Sequence, residues 1–223
     1  MEHTSRHQCL IYEGAPSEHL AVLAAVVRDK LHENYCCLYL NSDPMVAGMR
    51  SYLAAAGLNV EQETKKVSLL LSSSQAYLNA GHFDIGRMLD TLEDTLSQAL
   101  SDGYAGLWAA GDMTWEMGPD GDFSKLLEYE RQLEEMFSKH PQLCGICQYH
   151  ADTLPREVMR QGLAAHRSLF VNQTLSLMNP HYTRPESLLE TVLRNRELDA
   201  AVRHLCEQGN SIDGAAQIAQ WPA

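Results

Sequence analysis

CLIYEGAPSEHLAVLAAVV, residues 9–27, decides how the fold is interpreted, because it joins a short apolar strand, a Gly-Ala-Pro turn and an amphipathic helix. The apolar positions of the helix recur every three or four residues, which predicts that it packs on a sheet; they are Leu20, Leu23, Ala24, Val27 and Leu31. We expect Ser17 to cap this helix. A strand, a turn and a helix in this order are typical of the start of a nucleotide-binding α/β domain.

The turn itself lacks the residues that bind phosphate. It contains one glycine, Gly14, and no lysine, and Pro16 has no backbone N–H to donate. Glu13 and Glu18 would repel a phosphate group. Because phosphate loops need close backbone N–H groups and a cation, the turn predicts the architecture of a nucleotide-binding domain without its phosphate chemistry.

Predicted strands and helices alternate along the rest of the chain. The run YCCLYL at residues 35–40 is continuously apolar, as expected for a parallel strand covered on both faces. Further strands are predicted at residues 67–71, 104–110, 142–149 and 168–171, and helices at about 43–56, 84–101, 123–137, from 155, 185–208 and 211–221. The fold class is therefore α/β, with a mainly parallel central sheet flanked by helices and a C-terminal helical tail. We divide the chain into a domain at residues 1–182 and a tail at 183–223.

Composition excludes several classes of protein. The formal net charge of −12 disfavours nucleic acid and anionic membrane surfaces as partners, and residues 212–221 carry no basic side chain for base recognition. The first ten residues show no basic segment followed by an apolar core, and no apolar run approaches roughly 18 residues. We therefore expect a cytoplasmic protein whose six cysteines are reduced thiols.

Candidate site residues lie on the first strand and where later strands end. Asp112 follows the fourth strand, where a carboxylate either caps the next turn or faces a ligand, and Trp115 adds an apolar wall. His7 and Cys9 share one face of the first strand, and two roles are open for them: packing in the core or contacting a ligand. Tyr12 has a hydroxyl near the carboxyl end of the same strand.

Cys144, Cys147 and His150 have a spacing compatible with metal ligands. On a strand, however, side chains alternate between faces, so the two thiols are predicted to point in opposite directions. A further ligand from His7 or Cys9 requires the first and fifth strands to be neighbours. Buried free cysteines are the expected outcome, and a metal site is the alternative.

Four segments in this order carry a resemblance to a known family: HQCLIY at 7–12, GDMTW at 111–115, LCGICQYH at 143–150 and His166. Over about residues 6–182 the chain resembles the MEDS domain, the sensory domain of methanogen and methylotroph regulators typified by a dichloromethane-responsive repressor. The resemblance implies a RecA-like or circadian-clock ATPase fold with an eroded phosphate loop and the sensing of small hydrocarbon derivatives. It places residues 13–17 where the phosphate loop would be, and Asp112 where a carboxylate would hold magnesium.

The resulting functional prediction is a cytoplasmic, non-catalytic sensor of a small organic ligand of hydrocarbon-derivative or one-carbon type, without a cofactor or a resident metal. The predicted ligand-binding residues are His7, Cys9, Tyr12, Glu13, Asp112, Trp115, Cys147, Tyr149 and His166. Relatives that attach this domain to a histidine kinase or a helix-turn-helix imply such a regulatory partner, and a homodimer through the C-terminal helix is also expected. The alternatives are a RecA-like ATPase using Asp112 with magnesium, a metal-binding protein and an interaction domain with a closed cleft.

Overall fold

A seven-stranded sheet forms the centre of the computed structural model, which describes residues 6–117, 123–172, 175–188 and 196–209. The strands of this part are β1 (His7–Tyr12), β2 (Tyr35–Leu40), β3 (Leu69–Ser72), β4 (Leu78–Asn79), β5 (His82–Phe83), β6 (Gly106–Asp112), β7 (Leu143–His150), β8 (Ser168–Asn172) and β9 (Leu175–Met178). Within the sheet they follow the order β3-β2-β6-β7-β1-β8-β9, and β4 pairs with β5 as a separate hairpin.

All neighbouring strands of the large sheet run parallel except β8 and β9, which pair antiparallel. The prediction of an α/β fold with a mainly parallel sheet is therefore confirmed. Its central strands β1, β2, β6 and β7 are buried on both faces, which explains their continuous apolar runs. Neither β9 nor the small hairpin was predicted from the sequence.

Helices cover both faces of this sheet. They are α1 (Leu20–His32), α2 (Asp43–Ala55), α3 (Val60–Lys65), α4 (Ile85–Ser101), α5 (Met113–Glu116), α6 (Leu126–Lys139), α7 (Arg156–Ala165) and α8 (Arg196–Gly209). On one face Leu23 of α1 and Met49 of α2 pack in one core; on the other, Leu92 of α4, Leu133 of α6 and Leu163 of α7 pack in a second. No helix among the described residues combines the length and the apolarity needed to cross a membrane.

Several local predictions differ from the structure. A 3-10 turn at Pro16–His19 precedes α1, whose first turn has no side-chain cap, so the prediction that Ser17 caps this helix is wrong. The third strand begins at Leu69 rather than at residue 67, because Val67 has a φ of 60° and turns the chain. The predicted end of the second helix at about residue 56 is confirmed, since Ala56 is its C-cap and Gly57, which follows, has a φ of 85°.

The tail helix α8 packs against α7 and β1. Its Leu198 and Cys206 are buried in the core on the α6 side of the sheet. Residues 185–208 were predicted as one helix, whereas Pro185–Ser187 forms a 3-10 turn and α8 begins at Arg196; residues 189–195 lie outside the described part. The helix predicted at 211–221 also lies outside it. The domain boundary at residue 182 stays a prediction.

Candidate functional site

The predicted site residues fall into two groups because side chains alternate along β1. Cys9 lies in the core on the α6 side of the sheet, whereas Tyr12 lies in the core on the α1 side. His7 lies on the same face of β1 as Cys9, and its ring stacks on that of Phe137 in α6 with centroids 4.4 Å apart. The structure therefore does not bring His7, Cys9 and Tyr12 into one pocket.

The first group lies at the carboxyl edge of the sheet, around Asp112. The Tyr12 hydroxyl donates a hydrogen bond to Asp112 Oδ2 at 3.1 Å, and the Trp115 backbone N–H donates to Oδ1 at 3.0 Å. Burial raises the pKa of Asp112, although these hydrogen bonds oppose the shift. Asp112 thus caps the short helix α5, and both carboxylate oxygens accept a hydrogen bond within the protein. Trp115 packs edge-on against Tyr77, with ring centroids 6.4 Å apart.

The turn after β1 is held by residues that follow β7. The Gly14 N–H donates to Asp152 Oδ2 at 2.9 Å, and His150 Nε2 donates to the Gly14 carbonyl at 2.8 Å. β1 and β7 are neighbours, and the helices that follow them, α1 and α7, cover opposite faces. This is the kind of switch point where ligands bind in open α/β sheets, and here the backbone donor of Gly14 already meets a carboxylate.

The same turn contacts the tail helix. The thiol of Cys206 in α8 lies beside the Glu13 carboxylate and hydrogen-bonds to it. Burial, the charge of Glu13 and this hydrogen bond raise the pKa of Cys206 to about 12. The turn that replaces a phosphate loop is therefore in direct contact with α8.

The second group is a buried cluster of four side chains, the His–Glu–Cys cluster, made of His7, Glu130, Cys147 and His166. Their exposed fractions are 3%, 0%, 6% and 0%. One donor atom from each lies within 4.8 Å of all the others. His7 Nε2 is 3.4 Å from Cys147 Sγ and 3.6 Å from Glu130 Oε2, and His166 Nε2 is 3.5 Å from the same carboxylate oxygen.

Each member of the His–Glu–Cys cluster except the thiol is oriented by a further hydrogen bond. His7 Nδ1 donates to Glu134 Oε2 at 2.9 Å, His166 Nδ1 donates to the Gly162 carbonyl at 2.6 Å, and the Tyr149 hydroxyl donates to Glu130 Oε1. The other oxygen of Glu134 accepts from Arg167 Nε at 2.6 Å and from the Tyr182 hydroxyl at 3.3 Å. Both imidazoles therefore present Nε2 to the centre of the cluster.

Burial sets the protonation preferences of the His–Glu–Cys cluster. It lowers the pKa of His166 well below the ordinary value, and the nearby charge of His7 adds to this effect. Burial also raises the pKa of Glu130 against the opposing effects of His7 and Tyr149. Burial acts in the same direction on Glu134, but the hydrogen bonds from His7 and Arg167 outweigh it and leave that pKa lowered.

The cluster forms because β1 and β7 are neighbours, with Cys9 opposite Cys147 in the register. The sequence predicted that His7 could approach Cys147 only if these two strands were neighbours, and in the structure they are. Cys144 packs on the opposite face, with the α1-side core, so the prediction that the two thiols diverge is confirmed. The structure does not bring Cys144, Cys147 and His150 together, and His150 instead stacks on Tyr12 at 5.0 Å.

The two buried carboxylates of α6 were not predicted from the sequence. Glu130 and Glu134 lie on the apolar face of this helix, at three- and four-residue spacing from Leu126, Leu133 and Phe137. A carboxylate on the buried stripe of an amphipathic helix must find a partner, because its desolvation is costly. That pattern was available in the sequence and could have pointed to this cluster.

A small cavity of about 30 Å³ adjoins Cys147, between the sheet and helices α4 and α6. Its walls are mainly apolar and include Met88, Leu92, Leu133 and Phe137; the lining residues with polar groups are Glu116, Tyr129 and Cys147. Burial, and then the charges of Glu130 and Asp112, raise the pKa of Glu116 well above its ordinary range. A larger, open groove of about 520 Å³ lies between α2 and α3 and contains none of the predicted site residues.

Comparison with known families identifies one match that spans this architecture. The model of the family described as MEDS, the methanogen/methylotroph, DcmR sensory domain, matches residues 6–167. The matched range includes β1, β7 and all four members of the His–Glu–Cys cluster. The comparison with curated proteins found no match to this chain.

Proposed function

The chain belongs to the MEDS family of sensory domains, and from this premise we propose a non-catalytic, cytoplasmic sensor of an uncharged organic molecule of one or two carbons. Membership of this family indicates a role in sensing and signalling. The observation that carries the finer proposal is the cavity of about 30 Å³ beside Glu116 and Cys147.

The size and lining of this cavity favour a small, largely apolar ligand. A single water needs roughly 10–15 Å³ of comparable volume, so the cavity suits a molecule only a little larger than water. Methionine, leucine and phenylalanine side chains supply the apolar walls. Because burial favours the protonated form of Glu116, its carboxyl group can donate a hydrogen bond to an oxygen or a halogen of the ligand without repelling it. These features support a one-carbon alcohol, aldehyde or halomethane.

A route for the signal is supported by the contact between Glu13 and Cys206. A ligand changes the output only if it binds two conformations with different affinities. We assign the second conformation to a rearrangement of the turn at residues 13–17 together with α8, since α8 lies outside the sheet and touches this turn. Its apolar side chains pack on the same chain, so a histidine kinase, a transcription regulator or a second copy would meet its polar side.

Nucleotide hydrolysis has less support from the same geometry. The Gly14 N–H donates to a carboxylate, and both oxygens of Asp112 accept hydrogen bonds from the protein. Phosphate binding and magnesium binding would each have to break these bonds. Micromolar binding of ATP with magnesium, measured by calorimetry, would contradict the sensor proposal in its present form.

The ligand site is tested by methyl NMR with dichloromethane and methanol as probes. We expect saturable shifts at Met88 and Leu133 in the parent protein, and their loss in Leu92→Phe, which fills the cavity. Leu100→Phe is the matched control, because Leu100 lies on the same helix and is 40% exposed. Equal shifts in Leu92→Phe and the parent would place the ligand elsewhere.

The relay is tested by limited proteolysis of the chain with and without the bound probe. We expect cleavage within or beside α8 to change when dichloromethane or methanol is bound, because the turn that contacts Cys206 is assigned to the moving part. The variant Glu13→Gln should weaken this response, since it removes the charge beside the thiol. An α8 cleavage pattern that ignores a ligand already shown to bind would contradict the relay.

A further inference from the structure

We propose that His7 Nε2, Glu130 Oε2, Cys147 Sγ and His166 Nε2 form a tetrahedral site for a divalent transition metal, with zinc as the preferred ion. The atoms come from β1, α6, β7 and the residue pair that precedes β8, so the ion would join four separate parts of the fold. This inference does not depend on the organic ligand proposed above.

Three of the six distances between the donor atoms match those around a tetrahedral ion. With Zn–N bonds of ~2.0–2.1 Å and a Zn–S bond of ~2.3 Å, donor atoms lie about 3.3–3.6 Å apart. The corresponding distances from His7 Nε2 to Cys147 Sγ and to Glu130 Oε2 are 3.4 and 3.6 Å. The distance from His166 Nε2 to Glu130 Oε2 is 3.5 Å. The other three distances are at most 4.8 Å, so a bound zinc ion would draw these pairs of atoms closer together.

Two of the converging atoms also lack a hydrogen-bond partner. When the imidazoles are neutral, the hydrogen bonds from each Nδ1 leave a lone pair on each Nε2, as a metal ligand requires. Within the described part of the chain, Glu130 Oε2 and His166 Nε2 have no hydrogen-bond partner, and both residues are fully buried. Buried acceptors without donors are costly, and a cation between them would satisfy all of them.

The surroundings of the four atoms are those of a metal site. Metal-bound histidines usually donate their second N–H to a carboxylate or a backbone carbonyl, as His7 does to Glu134 and His166 does to Gly162. The remaining oxygen of Glu130 accepts from Tyr149. The ion would also neutralise the charge of a Cys147 thiolate, as it does at other sites where a thiol binds a metal.

The donor set selects the class of ion. Two imidazoles and a thiolate are poor ligands for magnesium or calcium, which prefer oxygen, and they suit zinc and its neighbours in the first transition row. Four ligands from the protein close a tetrahedral site, which is typical of structural rather than catalytic zinc. His7 and Cys147 are 140 residues apart in the sequence, so the site exists only in the folded chain. Metal binding would therefore contribute directly to the stability of the native state.

The proposal is tested first on the unaltered chain, purified without chelator and without added organic ligand. We expect one zinc ion per chain by elemental analysis, and after its removal a Co²⁺ titration with tetrahedral ligand-field bands and a sulfur-to-cobalt charge-transfer band. A shared proton among the four side chains is the competing explanation. It predicts no stoichiometric metal and no such spectrum, and that result would overturn the proposal.

Two serine variants then identify the sulfur ligand. Cys147→Ser should abolish the charge-transfer band, whereas Cys9→Ser should retain it, because Cys9 is equally buried and lies opposite Cys147 in the register but outside the cluster. Loss of the band in both variants, with circular dichroism showing that both are folded, would overturn the assignment. Binding of organic probes is measured separately, so failure of the metal site and failure of the ligand cavity are distinguishable.

Glu134 is assigned as a positioning residue that orients His7. Glu134→Gln should lower the affinity for zinc by about 10–100-fold, the usual effect of losing such a partner, while the cobalt spectrum keeps its tetrahedral form. Rescue by Glu134→Asp is expected to be partial. An unchanged zinc affinity in Glu134→Gln would contradict this role.

Discussion

The hydroxyl of Tyr12 donates a hydrogen bond to Asp112 across 3.1 Å, although β7 lies between the strands that carry them. This bond joins the ends of β1 and β6 at the edge of the sheet. The bond is buried, so no water is at hand to replace either partner, and breaking it costs free energy.

Removing this hydroxyl should destabilise the protein without disturbing the packing of the ring. We expect Tyr12→Phe to lower the free energy of unfolding by about 1–3 kcal/mol, because a buried carboxylate oxygen loses its donor. Urea denaturation measures the change. Tyr52→Phe is the control, since Tyr52 is 42% exposed and its variant should stay within about 0.5 kcal/mol of the parent. A similar loss in both variants would show that the bond contributes little.

The pH dependence of stability should report the burial of Asp112. Burial raises the pKa of this carboxyl, so the native state binds its proton more tightly than the unfolded state does. Its contribution is therefore complete below the unfolded pKa, roughly 3.9, and is lost as pH rises through the raised value. The groups that face it include Tyr12, Tyr39 and His150.

Asp112→Asn tests this pH dependence, because asparagine keeps the oxygen that caps α5. As pH rises through the raised pKa, the parent should lose unfolding free energy relative to the variant. The total loss should be about 1.4 kcal/mol for each unit by which folding raises the pKa of Asp112. Denaturation curves at a series of pH values above 4 measure it. A difference that is constant with pH would mean that folding leaves the proton affinity of Asp112 unchanged.

Gly162 should be intolerant of a side chain although it lies inside a helix. A Cβ at this position would lie 2.5 Å from two atoms of the Tyr149 ring. Alanine normally stabilises a helix by about 1 kcal/mol relative to glycine, but overpacking costs about 1–3 kcal/mol or more. We expect Gly162→Ala to lower the thermal midpoint and to weaken zinc binding, since Tyr149 orients Glu130.

Gly86→Ala is the control for this substitution, because its Cβ would meet its nearest neighbour at an ordinary 3.5 Å. It should leave the thermal midpoint unchanged or raise it. If Gly162→Ala is as stable as Gly86→Ala, the contact between α7 and the Tyr149 ring is looser than the structure indicates.

The six cysteines should react slowly in the native protein and completely after unfolding. All six lie in the described part of the chain and form no disulfide there. Burial raises the pKa of Cys36 to about 11 and that of Cys144 to about 12, and it also raises the pKa values of Cys9, Cys37 and Cys147 well above the ordinary value. A thiol reagent at neutral pH should therefore label almost none before urea is added, and all six afterwards. Rapid labelling of the native chain would contradict this burial.

Much of the fold could be predicted because its central strands are buried on both faces. The run at Tyr35–Leu40 was placed residue for residue, since a continuous apolar segment between turn residues leaves little choice. The hairpin of β4 and β5 was missed because each strand has only two residues. The pairing of β9 with β8 depends on tertiary contacts rather than on a local pattern.

The candidate site was less predictable because its members are distant in sequence. That His7 and Cys9 share a face followed from alternation along β1. They approach Cys147 because β1 and β7 are neighbours in the sheet. The order of strands in a sheet cannot be predicted from a local sequence pattern. The buried position of Glu130 on α6 was visible in the helical spacing, but its partners were not.

The position of β1 between β7 and β8 has a consequence for how the chain folds. In the register, His7 pairs with Gly145 and Gln8 pairs with Ser168. Both partners of β1 are therefore synthesised more than a hundred residues after β1 itself. Until then its backbone donors and acceptors on both edges are exposed to other chains. Contacts of this sequence separation slow folding and favour aggregation of incomplete chains. We therefore expect a long dependence on chaperones during translation, ending only when β8 has left the ribosome and encloses β1 from its second side.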